Sequence, residues 1–196
     1  MRSTIPYFLL GLSVLFAPSV FADKAILAGG CFWCMEKDFE SLEGVSEVIS
    51  GFTGGSAKNP TYRGDHAGHY EAVEITYDPD VVTYQGILEH YWINIDPFDA
   101  KGQFCDKGPS YLSAIFFSNE QERLLAEKSK QRVIDKFPDE FVVIPILKAD
   151  IFYPIQGEES HHQDFYKKSP IRYKSYRWSC GRDKRLREIW GAQPER

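Results

Sequence analysis

The chain has 196 residues, 43% of them hydrophobic and 26% charged, with 23 basic against 28 acidic side chains. That length and composition suit one domain with a sizeable core and exclude a fibrous or low-complexity chain. The mild acidity, with no basic run, excludes an electrostatic surface for nucleic acid or anionic lipid.

The first residues read as an export signal. Arg2 supplies the positive charge, residues 5–17 form a short apolar run, and Val20-Phe21-Ala22 offers small residues for cleavage after Ala22. The run is short for a membrane span and no stop-transfer pattern follows, so no stable membrane insertion is expected after cleavage. Removal leaves 174 residues, a single domain over 23–196, with 22 basic and 28 acidic side chains and a net charge of −6. The expected location is outside the cytoplasm, in the periplasm. There an even number of cysteines (Cys31, Cys34, Cys105, Cys180) first suggests structural disulfides.

In chain order, residues 24–28 read as a buried strand ended by Gly29-Gly30. Phe32, Met35, Phe39 and Leu42 then recur at helical spacing, with Glu36, Lys37 and Glu40 between them and Gly44 as the stop. Residues 45–52 and 71–77 read as strands and 83–95 as a helix. A strand over 113–117 follows, then a long polar helix opened by Ser118-Asn119 and reaching about Lys136, then a strand over 141–148. From Asp150 to Gly181 no period is visible. A long irregular segment is expected there, packed over the domain by its aromatics, and a short helix over 183–190 closes the chain. The alternation predicts an α+β fold, a two-layer sandwich of helices on a mixed sheet with a ferredoxin-like core.

Cys31 directly follows a strand and a Gly-Gly turn and opens a helix. Free backbone N–H groups and the helix dipole at that place favour a thiolate. The adjacent Phe32 and Trp33 suit an apolar methyl or thioether group, which aromatic faces hold well.

Gly30-Cys31-Phe32-Trp33 resembles the signature of the A-type peptide methionine sulfoxide reductases, and the likeness runs along nearly the whole mature chain. It includes Gly51-Phe52-Thr53-Gly54-Gly55, Gly68-His69-Tyr70-Glu71-Ala72-Val73, Gly102-Gln103-Phe104-Cys105-Asp106-Lys107-Gly108, His162-Gln163-Asp164 and Gly181-Arg182-Asp183. The resemblance implies that Cys31 attacks the sulfur of a methionine S-sulfoxide, free or in a protein, and becomes a sulfenic acid. It makes Glu71 the acid that protonates the sulfoxide oxygen, Tyr62 and Tyr111 the phenols that hydrogen-bond that oxygen, and Asp106 a supporting carboxylate. Phe32 and Trp33 become the substrate-binding wall. No bound cofactor or metal is implied. Electrons come from a thioredoxin-like protein or a dithiol, and the enzyme is expected to act as a monomer on oxidised proteins and peptides. Three departures stand out: a shortened loop between Tyr62 and Glu71, Leu112 in place of arginine, and Glu158-Glu159-Ser160-His161 before His162.

Cys34 and Cys180 are equal candidates for resolving the sulfenic acid, with Cys105 third. Three rival readings use the same residues. One is a thiol–disulfide oxidoreductase on Cys31-x-x-Cys34, one a zinc module on Cys31, Cys34, His161 and His162, and one a disulfide-stapled binding domain.

Overall fold

The computed structural model describes residues 22–191, so the expected signal segment, apart from Ala22, lies outside the described residues. The elements run β1 (Asp23–Gly29), α1 (Phe32–Glu40), β2 (Val45–Thr53), β3 (Tyr70–Tyr77), α2 (Tyr84–Trp92), β4 (Gly102–Gln103), β5 (Asp106–Lys107), β6 (Ser113–Phe117), α3 (Glu120–Lys136), β7 (Ile146–Lys148), β8 (Tyr153–Pro154), α4 (Phe165–Lys168), α5 (Pro170–Ser179) and α6 (Arg182–Trp190). The main sheet has the order β7-β6-β1-β3-β2-β8; only the β6–β7 pair is parallel. The central run β6-β1-β3-β2 places β3 between β1 and β2, which α1 connects. This is the split βαβ arrangement of a ferredoxin-like core, as expected.

Alternation along β3 decides what faces what. Val73, Ile75 and Tyr77 point to one face, where they meet Phe32, Met35 and Phe39 of α1 and Ile87, Leu88 and Tyr91 of α2. Fully burying each such side chain contributes roughly 2 kcal/mol. Ala72 points to the other face, into a smaller cluster with Ala28, Ala114 and Phe116. Glu71 shares the parity of Val73, so it faces the helices and the start of α1. Among the described residues, no helix is long and apolar enough to cross a membrane.

Two expectations need correction. The strand placed over 141–148 shrinks to Ile146–Lys148, because Pro145 has no N–H to give a ladder and only its carbonyl bonds across, to the Ile115 N–H at 3.1 Å. The segment 150–181 is not one irregular loop: it holds β8, a 3-10 turn at Gly157–His162, α4 and α5. The inward face of α5 hid its period. It carries Tyr173 and Arg177, and Arg177 is buried against Asp38 at 3.0 Å.

Candidate active site

Cys31 stands at the junction of β1 and α1. Gly30 makes the turn possible: it has φ +80°, and a Cβ there would lie 2.5 Å from Cβ of Gln103. Cys31 is the N-cap residue, and its carbonyl accepts from the N–H groups of Cys34 and Met35. It opens on a cleft of about 260 Å³ that Phe32, Trp33, Tyr62, Glu71, Asp106, Tyr111 and Tyr176 also line. The cleft therefore gathers the expected nucleophile, acid, phenols, carboxylate and aromatic pair from α1, β3, β5 and three separate connections.

The helix-start thiolate is not what the structure shows. No helical N–H caps the Cys31 sulfur, and the first of them, that of Phe32, donates to Glu71 Oε2 at 3.2 Å. Cys31 is only 6% exposed. Burial first, then the hydrogen bond with Cys34 and the charges of Cys34 and Glu71, push its thiol well above the ordinary range. Cys34 moves the other way. The hydrogen bond from Cys31 brings it down to about 7 against the effect of its own burial, and the charges of Arg182 and Arg177 help. The hydrogen bond between the two sulfurs thus favours the proton on Cys31 over Cys34.

Glu71 is 2% exposed, and burial pushes its carboxyl well up despite hydrogen bonds from the Phe32 N–H and Tyr111. That burial favours the protonated form, the one able to donate. The Tyr111 hydroxyl is within hydrogen-bond reach of Glu71 and of Tyr62. The shortened loop that carries Tyr62 is clamped from outside: the N–H groups of Tyr62 and Arg63 donate to the Glu159 carboxylate at 2.7 and 2.9 Å. Asp106 is raised by burial, and the Tyr176 hydroxyl donates to it.

The aromatic wall is rigid. Phe32 lies edge-on to Trp33 and Tyr62, with centroids at 6.3 and 6.0 Å. Trp33 stacks on Phe165 at 3.9 Å, and its indole N–H donates to His162 Nδ1 at 3.1 Å. Burial pushes His162 down to about 4, so it stays neutral and accepts that bond. Among the described residues, the side-chain clusters that could hold a metal ion do not include Cys31, Cys34, His161 or His162.

Of the other cysteines, Cys105 and Cys180 are joined in a disulfide, while Cys31 and Cys34 are free and buried. Sequence reasoning gave no role to Tyr176, and gave His162 only a place in a family motif and a ligand's part in the rival zinc reading. The signal for Tyr176 was Ser169-Pro170, a helix start that puts Tyr173, Tyr176 and Arg177 on one side of a helix.

The family model described as peptide methionine sulfoxide reductase matches residues 23–194. The peptide methionine sulfoxide reductase MsrA of Bacillus subtilis is 49% identical over 174 residues, covering 86% of this chain and 96% of that one. MsrA 2 of Caulobacter vibrioides is 45% identical over 199 residues, covering 97% of this chain and all of that one. Among solved structures, methionine sulfoxide reductase A of Corynebacterium diphtheriae superposes with a TM-score of 0.70 at 29% identity, covering 76% of each chain. With that match running from the first strand past the last helix, through the same Cys31 cleft, the chain belongs to the peptide methionine sulfoxide reductase family.

Proposed function

We propose that this reductase repairs methionine S-sulfoxide, free or in oxidised proteins, by moving the sulfoxide oxygen onto Cys31. The Cys31 sulfur attacks the sulfoxide sulfur while Glu71 protonates the departing oxygen. The net step turns a thiol and a sulfoxide into a sulfenic acid and a thioether: Cys31 is oxidised by two electrons and the substrate sulfur reduced by two. Phe32 and Trp33 hold the methyl group, Tyr62 and Tyr111 bind the oxygen, and Asp106 supports the cleft. The observation that carries the reading is a buried carboxyl, its burial favouring the protonated form, that lines one cleft with the nucleophile. Without a proton the sulfoxide oxygen is a poor leaving group.

Cys34 resolves the sulfenic acid in this reading. It is the free sulfur hydrogen-bonded to Cys31 and the more acidic of the two, whereas Cys180 is already bonded to Cys105. Its attack forms the Cys31–Cys34 disulfide and releases water. A thioredoxin-like protein or dithiol then returns two electrons. In a thiol–disulfide oxidoreductase the attacking first cysteine is the acidic one, and here that order is reversed. Export to the periplasm, cleavage after Ala22 and action as a monomer complete the proposal. The apolar N-terminal run and the Cys105–Cys180 disulfide support the oxidising location.

Turnover of a methionine sulfoxide peptide tests the scheme. Cys31→Ser is expected to abolish it, and Glu71→Gln to lower it roughly 100-fold or more, the usual worth of a positioned acid. Cys34→Ala is expected to yield one equivalent of methionine and then stop, leaving a sulfenic acid at Cys31 that a dimedone reagent traps. Steady turnover by Cys34→Ala, lost on removing Cys180, would move the resolving role to Cys180.

A further inference from the structure

Tyr176 is the one residue lining the cleft that the scheme above leaves idle. It lies on α5, and its ring meets Trp33 edge-on with centroids at 5.7 Å. Its hydroxyl donates to Asp106 and is also within hydrogen-bond reach of the Cys31 sulfur. A phenol has one proton to give, so it serves Asp106 while Cys31 holds its own proton and is free to turn to Cys31 once that proton leaves. The sulfur needs such a donor, because no helical N–H caps it.

The placement of Tyr176 is secured by a covalent link. Cys180 closes α5 one turn beyond Tyr176, its N–H bonded to the Tyr176 carbonyl at 2.9 Å. Cys105 directly precedes Asp106 at the tip of the β4–β5 hairpin. The Cys105–Cys180 disulfide, with Cα atoms 4.9 Å apart, therefore ties together the neighbours of the two hydrogen-bonded side chains. Both sulfurs lie against the Asp106 carboxylate, at 3.7 and 3.9 Å.

We propose that Tyr176 is a further catalytic residue, whose hydroxyl donates to the Cys31 sulfur when that sulfur ionises for attack, and that the Cys105–Cys180 disulfide is the positioning device that holds it there. A hydrogen bond to the charged form favours that form, so Tyr176 lowers the pH at which Cys31 becomes reactive. The other groups facing Cys31 act differently. Cys34 and the Glu71 charge oppose ionisation, Tyr62 and Tyr111 face the oxygen side, and Asp106 competes for the same phenol proton.

The proposal rests on Cys31 being the nucleophile, and its test reads Cys31 directly. In Cys34→Ala protein with the disulfide intact, Cys31 is the remaining free thiol, so its alkylation rate against pH reports its ionisation. Adding Tyr176→Phe keeps the ring on Trp33 and removes only the donor. The expected result is a rise of about one unit in the alkylation midpoint, the worth of one hydrogen bond to a charged group. Single-turnover sulfenic acid formation should slow about tenfold at neutral pH, with KM unchanged. An unmoved midpoint with an unchanged single-turnover rate overturns the catalytic role. A raised KM with an unmoved midpoint also overturns it, because that pattern belongs to packing. Replacing Cys105 and Cys180 by serine in the same Cys34→Ala background should raise the midpoint in the same direction, and should add nothing further when Tyr176 is already Phe. An equal added shift in the Phe background would show that the disulfide does not act through Tyr176. If instead Cys31→Ser retains turnover, the nucleophile assignment fails, and the alkylation result still decides whether Tyr176 touches that sulfur.

Discussion

At the scale of single residues, the chemistry depends on three protons held by burial. Cys31 keeps one because its sulfur is out of water and bonded to Cys34. Glu71 is pushed toward keeping one because its carboxyl is 2% exposed, and the hydrogen bonds it accepts do not offset that burial. Tyr176 has the third to lend. The pH dependence follows with its sign. Sulfenic acid formation needs Cys31 to lose its proton, so the rate climbs as pH rises through the thiol's titration. It also needs Glu71 to keep its proton, so the rate falls once pH passes the carboxyl's raised pKa. A single-turnover profile should therefore pass through a maximum, and in Glu71→Gln the descending limb should vanish. A profile with its descending limb intact in Glu71→Gln would assign the acid elsewhere. The nucleophile, the acid and the aromatic pair could be named from Gly30-Cys31-Phe32-Trp33 and from the segment around Glu71. The protonation of Cys31 could not, because it depends on which neighbours take the helix N–H groups and exclude water.

At the scale of elements, β1 and α1 present Cys31, β3 presents Glu71, and the β4–β5 hairpin presents Asp106. The hairpin packs directly on the Gly30 turn. Gln103 bonds the backbone of Asp96 in both directions at 2.8 Å, and its Cβ leaves no room for one at Gly30. Gly30→Ala would have to adopt φ +80° and displace Gln103. A loss of about 1–3 kcal/mol is expected, read as a drop of several degrees in the thermal midpoint, together with a fall in kcat as Asp106 moves with the hairpin. An unchanged midpoint and kcat would mean that the turn relaxes at no cost. Strands β1, β2, β3 and β6 and helices α1 and α2 were legible because aliphatic and aromatic residues mark their periods, and α3 was legible from its Ser118-Asn119 start. Helix α5 was not. Its buried face is Tyr173 and Arg177, and Arg177 is buried only because Asp38 of α1 pairs with it across 139 residues of sequence.

At the scale of the molecule, the C-terminal helices close over the ferredoxin-like core and complete the cleft from above α1. Arg182 is 1% exposed; its guanidinium donates to the Asn94 carbonyl at 2.7 Å and lies over the Phe104 ring at 4.5 Å. The Cys105–Cys180 disulfide spans 75 residues, and closing a loop of that size in the unfolded chain accounts for about 4 kcal/mol of stability on the loop-entropy model. Protein with both cysteines replaced by serine should melt roughly 10 °C lower than the oxidised protein, and reductant should no longer change its midpoint. Equal midpoints would limit the disulfide to positioning the cleft.

The sequence by itself determined the family resemblance, the ferredoxin-like layering and the residues gathered around Cys31, because motifs and hydrophobic periods are local properties of the chain. Only the tertiary structure decided which sulfur holds the proton, which cysteines pair, and that a tyrosine from the penultimate helix reaches the nucleophile. Each of those turns on burial or on a contact between segments far apart in the chain, and no local pattern encodes either.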